Sequence, residues 1–123
     1  MIHIIEKFME EMPSDKAKEV LMLIFEKKYH AALETVKMEI DNPTETFNKG
    51  FDDITETEHP KRYMNKNGIE AITIIDICTN DLKGGMAVCI GNAVKYLTRL
   101  GKKDDATQEW KKIKWYLERS LIY

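Results

Sequence analysis

Apolar residues recur at helical spacing along much of this chain. From Pro13 onward, Ala17, Val20, Leu21, Ile24 and Phe25 fall at three- and four-residue intervals. They lie behind Ser14 or Asp15, either of which can accept from the orphan N–H groups of a first helical turn. A second run, Tyr29, Ala32, Leu33, Val36 and Ile40, keeps the same period and stops at Asp41-Asn42-Pro43, because proline lacks a donor and restricts the residue before it. Two helices so close together predict a helical hairpin over residues 1–42, suited to assembly or docking.

Residues 43–62 read as a linker, carrying two of the three prolines, Gly50 and a cluster of Thr, Asp and Glu, with little to bury beyond Phe47, Phe51 and Ile54. Three periodic segments follow, 68–80, 85–100 and 105–120, separated by Gly84-Gly85 and by Gly101. The first is rich in β-branched residues, Ile69, Ile72, Thr73, Ile74, Ile75 and Ile77, a composition a strand shares; helix is the preferred reading. In the last, Asp105 and Gln108 form a capping box ahead of a stripe of Ala106, Trp110, Ile113, Leu117 and Leu121. The expected fold is all-α, an N-terminal hairpin followed by a three-helix unit over 63–123.

Composition adds exclusions. With 123 residues, 43% apolar and 33% charged, the chain has room for a core and none for a large multidomain enzyme. Apolar runs such as Leu21 to Phe25 are far shorter than a membrane span, and Glu6, Glu10 and Glu11 stand where a signal peptide would be basic; a cytoplasmic location away from membranes is expected. Cys78 and Cys89, the only cysteines, make neither a disulfide framework nor a zinc site. His3, His30 and His59 stand apart from carboxylates at ligand spacing and read as surface residues. There is no P-loop, no GxGxxG, no HExxH and no GxSxG, and the only serines are Ser14 and Ser120.

The net charge of −2 conceals a division: residues 1–58 hold 14 acids against 7 bases, and residues 59–123 hold 12 bases against 7 acids. A cationic half attracts phosphates, while the acidic half disfavours wrapping a nucleic acid around the molecule. On the middle helix of the C-terminal unit, Ile90, Ala93, Val94, Leu97 and Leu100 form the buried side. Asn92, Lys95, Tyr96 and Arg99 then share the other, with Lys102 and Lys103 just beyond the helix end. Guanidinium offers a bidentate fork, ammonium a point charge and Asn92 a neutral donor, a set suited to phosphoryl groups. A solvated helix face shows the same pattern, and Lys102 and Lys103 also complement a helix C-terminus. Glu70, Thr73 and Asp76 follow a three-residue diagonal, so Glu70 and Asp76 are candidate Mg²⁺ ligands or, equally, ion-pair partners for nearby cations. Gly91 inside a helix asks for a close crossing or room for a ligand. Trp115 and Tyr116, off the apolar stripe, suit stacking on a base or closing a subunit interface.

The residues carry a family resemblance. Pro60-x-Arg62-Tyr63, Gly68-Ile69-Glu70-x-Ile72, Gly91-Asn92-Ala93-Val94-Lys95-Tyr96, Arg99, Gly101-Lys102-Lys103-Asp104, and Lys111-Lys112 through Trp115-Tyr116-Leu117 resemble the SaV-like phage family of unknown function, over residues 59–120. The resemblance implies a small all-helical phage protein acting in the host cytoplasm during infection; the family includes a nucleotide kinase that phosphorylates deoxynucleoside monophosphates without a P-loop. The family's usual Pro-x-His-Tyr has Arg62 in place of histidine, and its usual Ile-Glu-x-Ile-Asp has Thr73 in place of the acid. Both departures favour anion binding over catalysis. The layout is also similar, at fold level alone, to the all-helical nucleotide pyrophosphohydrolases.

Two functions are expected from these readings. In one, a phage early protein binds a nucleotide or phosphorylated metabolite and acts as a kinase. Glu70 and Asp76 place Mg²⁺, while Lys95, Arg99, Lys102 and Arg62 neutralise charge and Asn92 and Tyr96 orient the substrate. Arg99, Lys95 and Glu70 form the catalytic set, and Tyr63, Lys103 and Trp115 join the binding residues. In the other, a non-enzymatic phage protein sequesters a nucleotide or engages a host protein. A homo-oligomer is expected in either case, because about 60 residues of three-helix unit bury little surface alone.

Overall fold

Each of these apolar runs becomes a helix in the computed structural model, which describes residues 2–45, 69–101 and 105–123. Among the described residues six helices follow in order: α1 (Ile2–Met9), α2 (Asp15–Phe25), α3 (Tyr29–Asp41), α4 (Ala71–Thr79), α5 (Gly84–Arg99) and α6 (Ala106–Ser120). The all-α expectation holds. So does helix for the β-branched segment: Ala71, Ile74 and Cys78 turn one stripe of α4 into the interior, and the Thr79 hydroxyl donates to the Ile75 carbonyl at 2.8 Å, turning a β-branched polar residue back onto its own helix.

Helix α1 is an addition to the expected hairpin. Its Ile5 and Phe8, followed by Met12, are buried at three- and four-residue spacing. They join Val20, Leu21, Ile24, Leu33 and Val36 of the hairpin and Ile74, Ile90, Val94, Leu97, Ile113 and Leu117 of the C-terminal helices in a single apolar cluster. Helices α2, α3, α6 and α5 close a ring in which each packs on the next, while α4 lies along α5 and touches α2. The hairpin thus forms two corners of a bundle whose other corners are α5 and α6.

Polar residues fix the ends. Ser14 caps α2, its hydroxyl accepting from Ala17 N–H at 2.9 Å. The same hydroxyl donates to Glu45 Oε1 at 2.6 Å, and Lys16 N–H donates to Glu45 Oε2 at 3.0 Å. The chain leaving α3 therefore returns a carboxylate to the N-terminus of α2, where the helix dipole favours it. Glu39, buried within α3, accepts from the Thr44 N–H at 2.9 Å and from its hydroxyl at 2.8 Å, satisfying a carboxylate that would otherwise be costly in the interior. Asp105 caps α6 by accepting from Thr107 N–H at 2.9 Å. The turn after α5 uses Gly101 at φ 85°, a left-handed conformation that glycine adopts without Cβ strain. The expected linker, 43–62, is described only as far as Glu45; the rest lies outside the described residues. No described helix is long and apolar enough to cross a membrane. Cys78 and Cys89 are buried free thiols.

Candidate functional site

The buried stripe expected for α5 is the one observed: Ile90, Ala93, Val94, Leu97 and Leu100 are enclosed, which directs Val88, Asn92, Lys95 and Arg99 to the opposite side by helical spacing. Arg99 is nevertheless buried, at 7% exposure. Its Nε donates to Glu109 Oε1 and its Nη2 to Glu109 Oε2, each at 3.1 Å, the two-pronged geometry in which guanidinium and carboxylate bind most strongly. Glu109 is fully enclosed at 0% exposure, and Lys112 Nζ stands 3.7 Å from its second oxygen.

This pair forms one wall of a cation–aromatic cluster centred on Tyr96. The Arg99 guanidinium carbon lies 4.9 Å from the centre of the Tyr96 ring, Lys112 Nζ 5.2 Å and Lys95 Nζ 5.6 Å. These distances bring three positive side chains within reach of one ring quadrupole. The Tyr96 ring stacks against Tyr116 at 6.0 Å and 17°, and Trp115 meets Tyr116 edge-on at 5.1 Å and 90°. Helices α5 and α6 thereby offer aromatic surface and positive charge side by side, which is the chemistry a phosphorylated aromatic ligand asks for.

Of the expected site residues, Lys95, Tyr96 and Arg99 come together here, with Trp115 at the rim, 56% exposed. Asn92 turns its amide to its own helix, donating to Val88 O at 3.0 Å. Glu70 and Asp76 belong to α4, at its N-cap and in its middle, and not to the α5–α6 pair. Helix α4 begins at Ala71, so Glu70 is its N-cap with extended backbone, φ −87° and ψ 151°, and the helical diagonal with Asp76 does not reach it. Both are exposed, and the described residues contain no group of three or more His, Cys, Asp or Glu that could hold a metal ion. Arg62, Tyr63, Lys102 and Lys103 lie outside the described residues.

Sequence reasoning missed Glu109, and with it the partner of Arg99. The signal was present: Glu109 stands one turn before Ile113 and next to Trp110, on the edge of the apolar stripe of α6, where a carboxylate needs a cation to be enclosed. Lys112, one turn further on, completes the set. Gly91 faces Ile75 Cγ2 at 3.4 Å and Thr79 Cγ2 at 3.9 Å from where a Cβ would stand. That is ordinary packing at the α4–α5 crossing, and it accounts for the residue without a ligand.

A second polar group ties the turn after α2 to the turn after α4. Lys27, at φ 66°, reaches across to Asp81 Oδ1 at 2.6 Å. Lys27's hydrogen bond holds the Asp81 carboxyl below the usual range. Burial works against the charged form of Lys27, but its bond to Asp81 and the negative charge nearby outweigh it, and its pKa lies above the ordinary value. The Tyr29 hydroxyl beside them is buried with no hydrogen-bond partner among the described residues, and burial raises its pKa. Burial also pushes the Cys78 thiol up to about 11, so this thiol is a core residue and not a nucleophile.

Among known proteins, the family described as proteins of unknown function, DUF3310, matches residues 57–118. No curated protein and no solved structure matches the chain. The matched stretch contains α4, α5 and all but the last two residues of α6, and so holds every residue of the Tyr96 cluster. Covering half of the chain, this match places the protein in the DUF3310 family.

Proposed function

We propose that this protein binds a nucleotide or related phosphorylated metabolite on its α5–α6 face, with the phosphate near Lys95 and Lys112 and the base against the aromatic surface. The observation that carries the reading is the convergence of Lys95, Arg99 and Lys112 on the Tyr96 ring, all within 5.6 Å. Lysine suits the outer positions because its ammonium is a mobile point charge, while the planar guanidinium of Arg99 is locked by Glu109 and holds the Tyr96 ring in place. The SaV-like resemblance supports deoxynucleoside monophosphates as the ligand class and phage infection of a host cell as the setting. Mg²⁺ enters this reading only as the ion that accompanies nucleotide phosphates.

Whether phosphoryl transfer follows binding divides two versions. A kinase would use Lys95 and the cluster to neutralise charge on the transferred group. The commitment of Arg99 to Glu109 favours the other version, a binder that sequesters its ligand or presents it to a host protein. Calorimetry with deoxynucleoside monophosphates and ATP, with and without Mg²⁺, tests both. Binding that weakens at least about tenfold in the Lys95→Ala/Lys112→Ala double variant supports the site. Product formation with Mg²⁺ selects the kinase, and binding without product selects the binder. No binding of any nucleotide at millimolar concentration refutes the proposal.

A further inference from the structure

We infer that the α5–α6 face continues along α6 as a site for single-stranded nucleic acid, with Trp115 as the platform on which an unpaired base stacks. The inference shares its Tyr96 end with the nucleotide reading and rests on its own observation, the stripe beyond that end. Residues 111–119 carry four bases, Lys111, Lys112, Lys114 and Arg119, against one acid, Glu118. Glu118 is held by Lys114 at 3.3 Å, which leaves Lys111 and Arg119 to set the sign of the outer surface. These two stand one turn before and one turn after Trp115, so helical spacing puts all three on one side of α6, and all three are exposed. Among the described residues neither Lys111 nor Arg119 is in an ion pair.

Ring contacts join this stripe to the Tyr96 cluster. Trp115 meets Tyr116 edge-on at 5.1 Å, and Tyr116 stacks on Tyr96 at 6.0 Å. Lys112 and Lys95 reach the Tyr96 ring at 5.2 and 5.6 Å. Cations therefore stand at both ends of one aromatic path. The Tyr96 ring is already engaged by Tyr116 and by Arg99, whereas Trp115, 56% exposed, keeps open ring surface. Every base has a π-face, so an open indole between two cations takes unpaired bases of any identity.

The layout favours a strand over other anions. A mononucleotide carries its phosphate at one place and engages one end of the path; a strand carries one per nucleotide and meets both. A duplex keeps its base faces inside its own stack and offers the indole nothing, and an acidic peptide would satisfy the cations without a flat ring for Trp115. The acids of residues 1–58 oppose wrapping a polyanion around the molecule, but a strand lying along one helix pair does not wrap.

Fluorescence anisotropy of the full chain with labelled oligothymidylate and oligouridylate of about 12 nucleotides tests the proposal, beside calorimetry with thymidine monophosphate and with circular dichroism confirming that each variant is folded. At least one strand is expected to bind about tenfold or more tightly than the monophosphate at equal salt. Trp115→Ala should weaken strand binding by about tenfold, within the range that stacking on one base supplies, while Trp115→Phe should keep most of it. Four engaged cations predict a slope of about −3 for log affinity against log salt, and Lys111→Ala/Arg119→Ala should bring it to about −1.5 while changing monophosphate affinity less than about twofold. Strands bound no more tightly than the monophosphate, a slope that the double variant leaves unchanged, or a Trp115→Ala variant that binds normally overturns the inference; the nucleotide reading then stands wherever the monophosphate binds. A duplex of the same length bound as tightly as the strand also overturns it. Strand binding with no monophosphate bound at millimolar concentration supports the strand site and removes the nucleotide reading.

Discussion

Replacing Arg99 by methionine tests whether the Arg99–Glu109 pair holds the α5–α6 junction together. The arginine side chain is 8% exposed and the glutamate side chain 1%; both oxygens of the glutamate accept from the guanidinium at 3.1 Å. Without Arg99, the Glu109 carboxylate keeps, among the described residues, one cation, Lys112, at 3.7 Å on a side chain 42% exposed. An enclosed carboxylate with so little compensation costs about 3–5 kcal/mol, a large part of the roughly 5–15 kcal/mol that stabilises a domain. At this chain length the melting temperature should fall by about 10–20 °C. Changing both residues, Arg99→Met with Glu109→Leu, removes the stranded charge along with its partner and should recover most of the loss. Arg99→Lys keeps the charge but loses the fork and should fall between, at about 1–2 kcal/mol. Urea denaturation followed by circular dichroism at neutral pH, with unchanged m-values, measures all three. A cost below about 1 kcal/mol for Arg99→Met, or a double variant as unstable as the sum of the singles, refutes the reasoning.

Three further outcomes follow from the packing and the charges. Gly91→Ala should stabilise by about 0.5–1 kcal/mol, because the helix interior favours alanine and the added methyl meets Ile75 and Thr79 at 3.4 and 3.9 Å; destabilisation in a thermal melt would show that the α4–α5 crossing cannot yield. Cys78, its thiol pushed up to about 11 by burial, should react with iodoacetamide at pH 8 about 100-fold more slowly in the folded protein than in urea. Equal rates by peptide mass mapping would refute the burial argument. The lowered pKa of Asp81 means that its bridge to Lys27 stabilises the fold above the ordinary carboxylate value and loses that contribution as pH falls through the folded pKa. The raised pKa of Lys27 keeps the bridge intact up to the ordinary ammonium value, the contribution being lost as pH rises beyond it. The stability difference between the protein and Asp81→Asn should therefore be flat from about pH 5 to 9 and shrink below about pH 4; a difference that persists in acid denies the bridge a role.

Most of the helices were legible because their apolar period is regular and their caps are chemical. Ser14, Asp105 and the Asp41-Asn42-Pro43 stop mark ends that the structure reproduces to within a residue. Helix α1 was not read from the sequence: eight residues are too few to be stable alone, and their helicity depends on Ile5 and Phe8 finding the interior built by the other helices. The α5 face was legible as a stripe of Asn92, Lys95, Tyr96 and Arg99, but its division of labour was not. Spacing along one helix says nothing about what a neighbouring helix brings to it, and the carboxylate that claims Arg99 lies ten residues away across the turn. The same limit hid Glu39 and Glu45, whose partners Thr44 and Ser14 are set by how the chain turns back after α3.

The enclosed pair and the outer lysines are two uses of positive charge that the geometry keeps apart. A guanidinium is weakly hydrated and planar, so Arg99 can be buried at modest cost once Glu109 matches its fork, and it then presents a fixed face to the Tyr96 ring at 4.9 Å. Lysine is strongly hydrated and flexible, and Lys95 and Lys112 accordingly stay part-exposed around the same ring. A ligand phosphate meeting this surface would find ammonium groups beside an aromatic wall packed between α5 and α6. The ordering entropy of that wall is already spent in folding, so a ligand that packs on it does not bear that cost again.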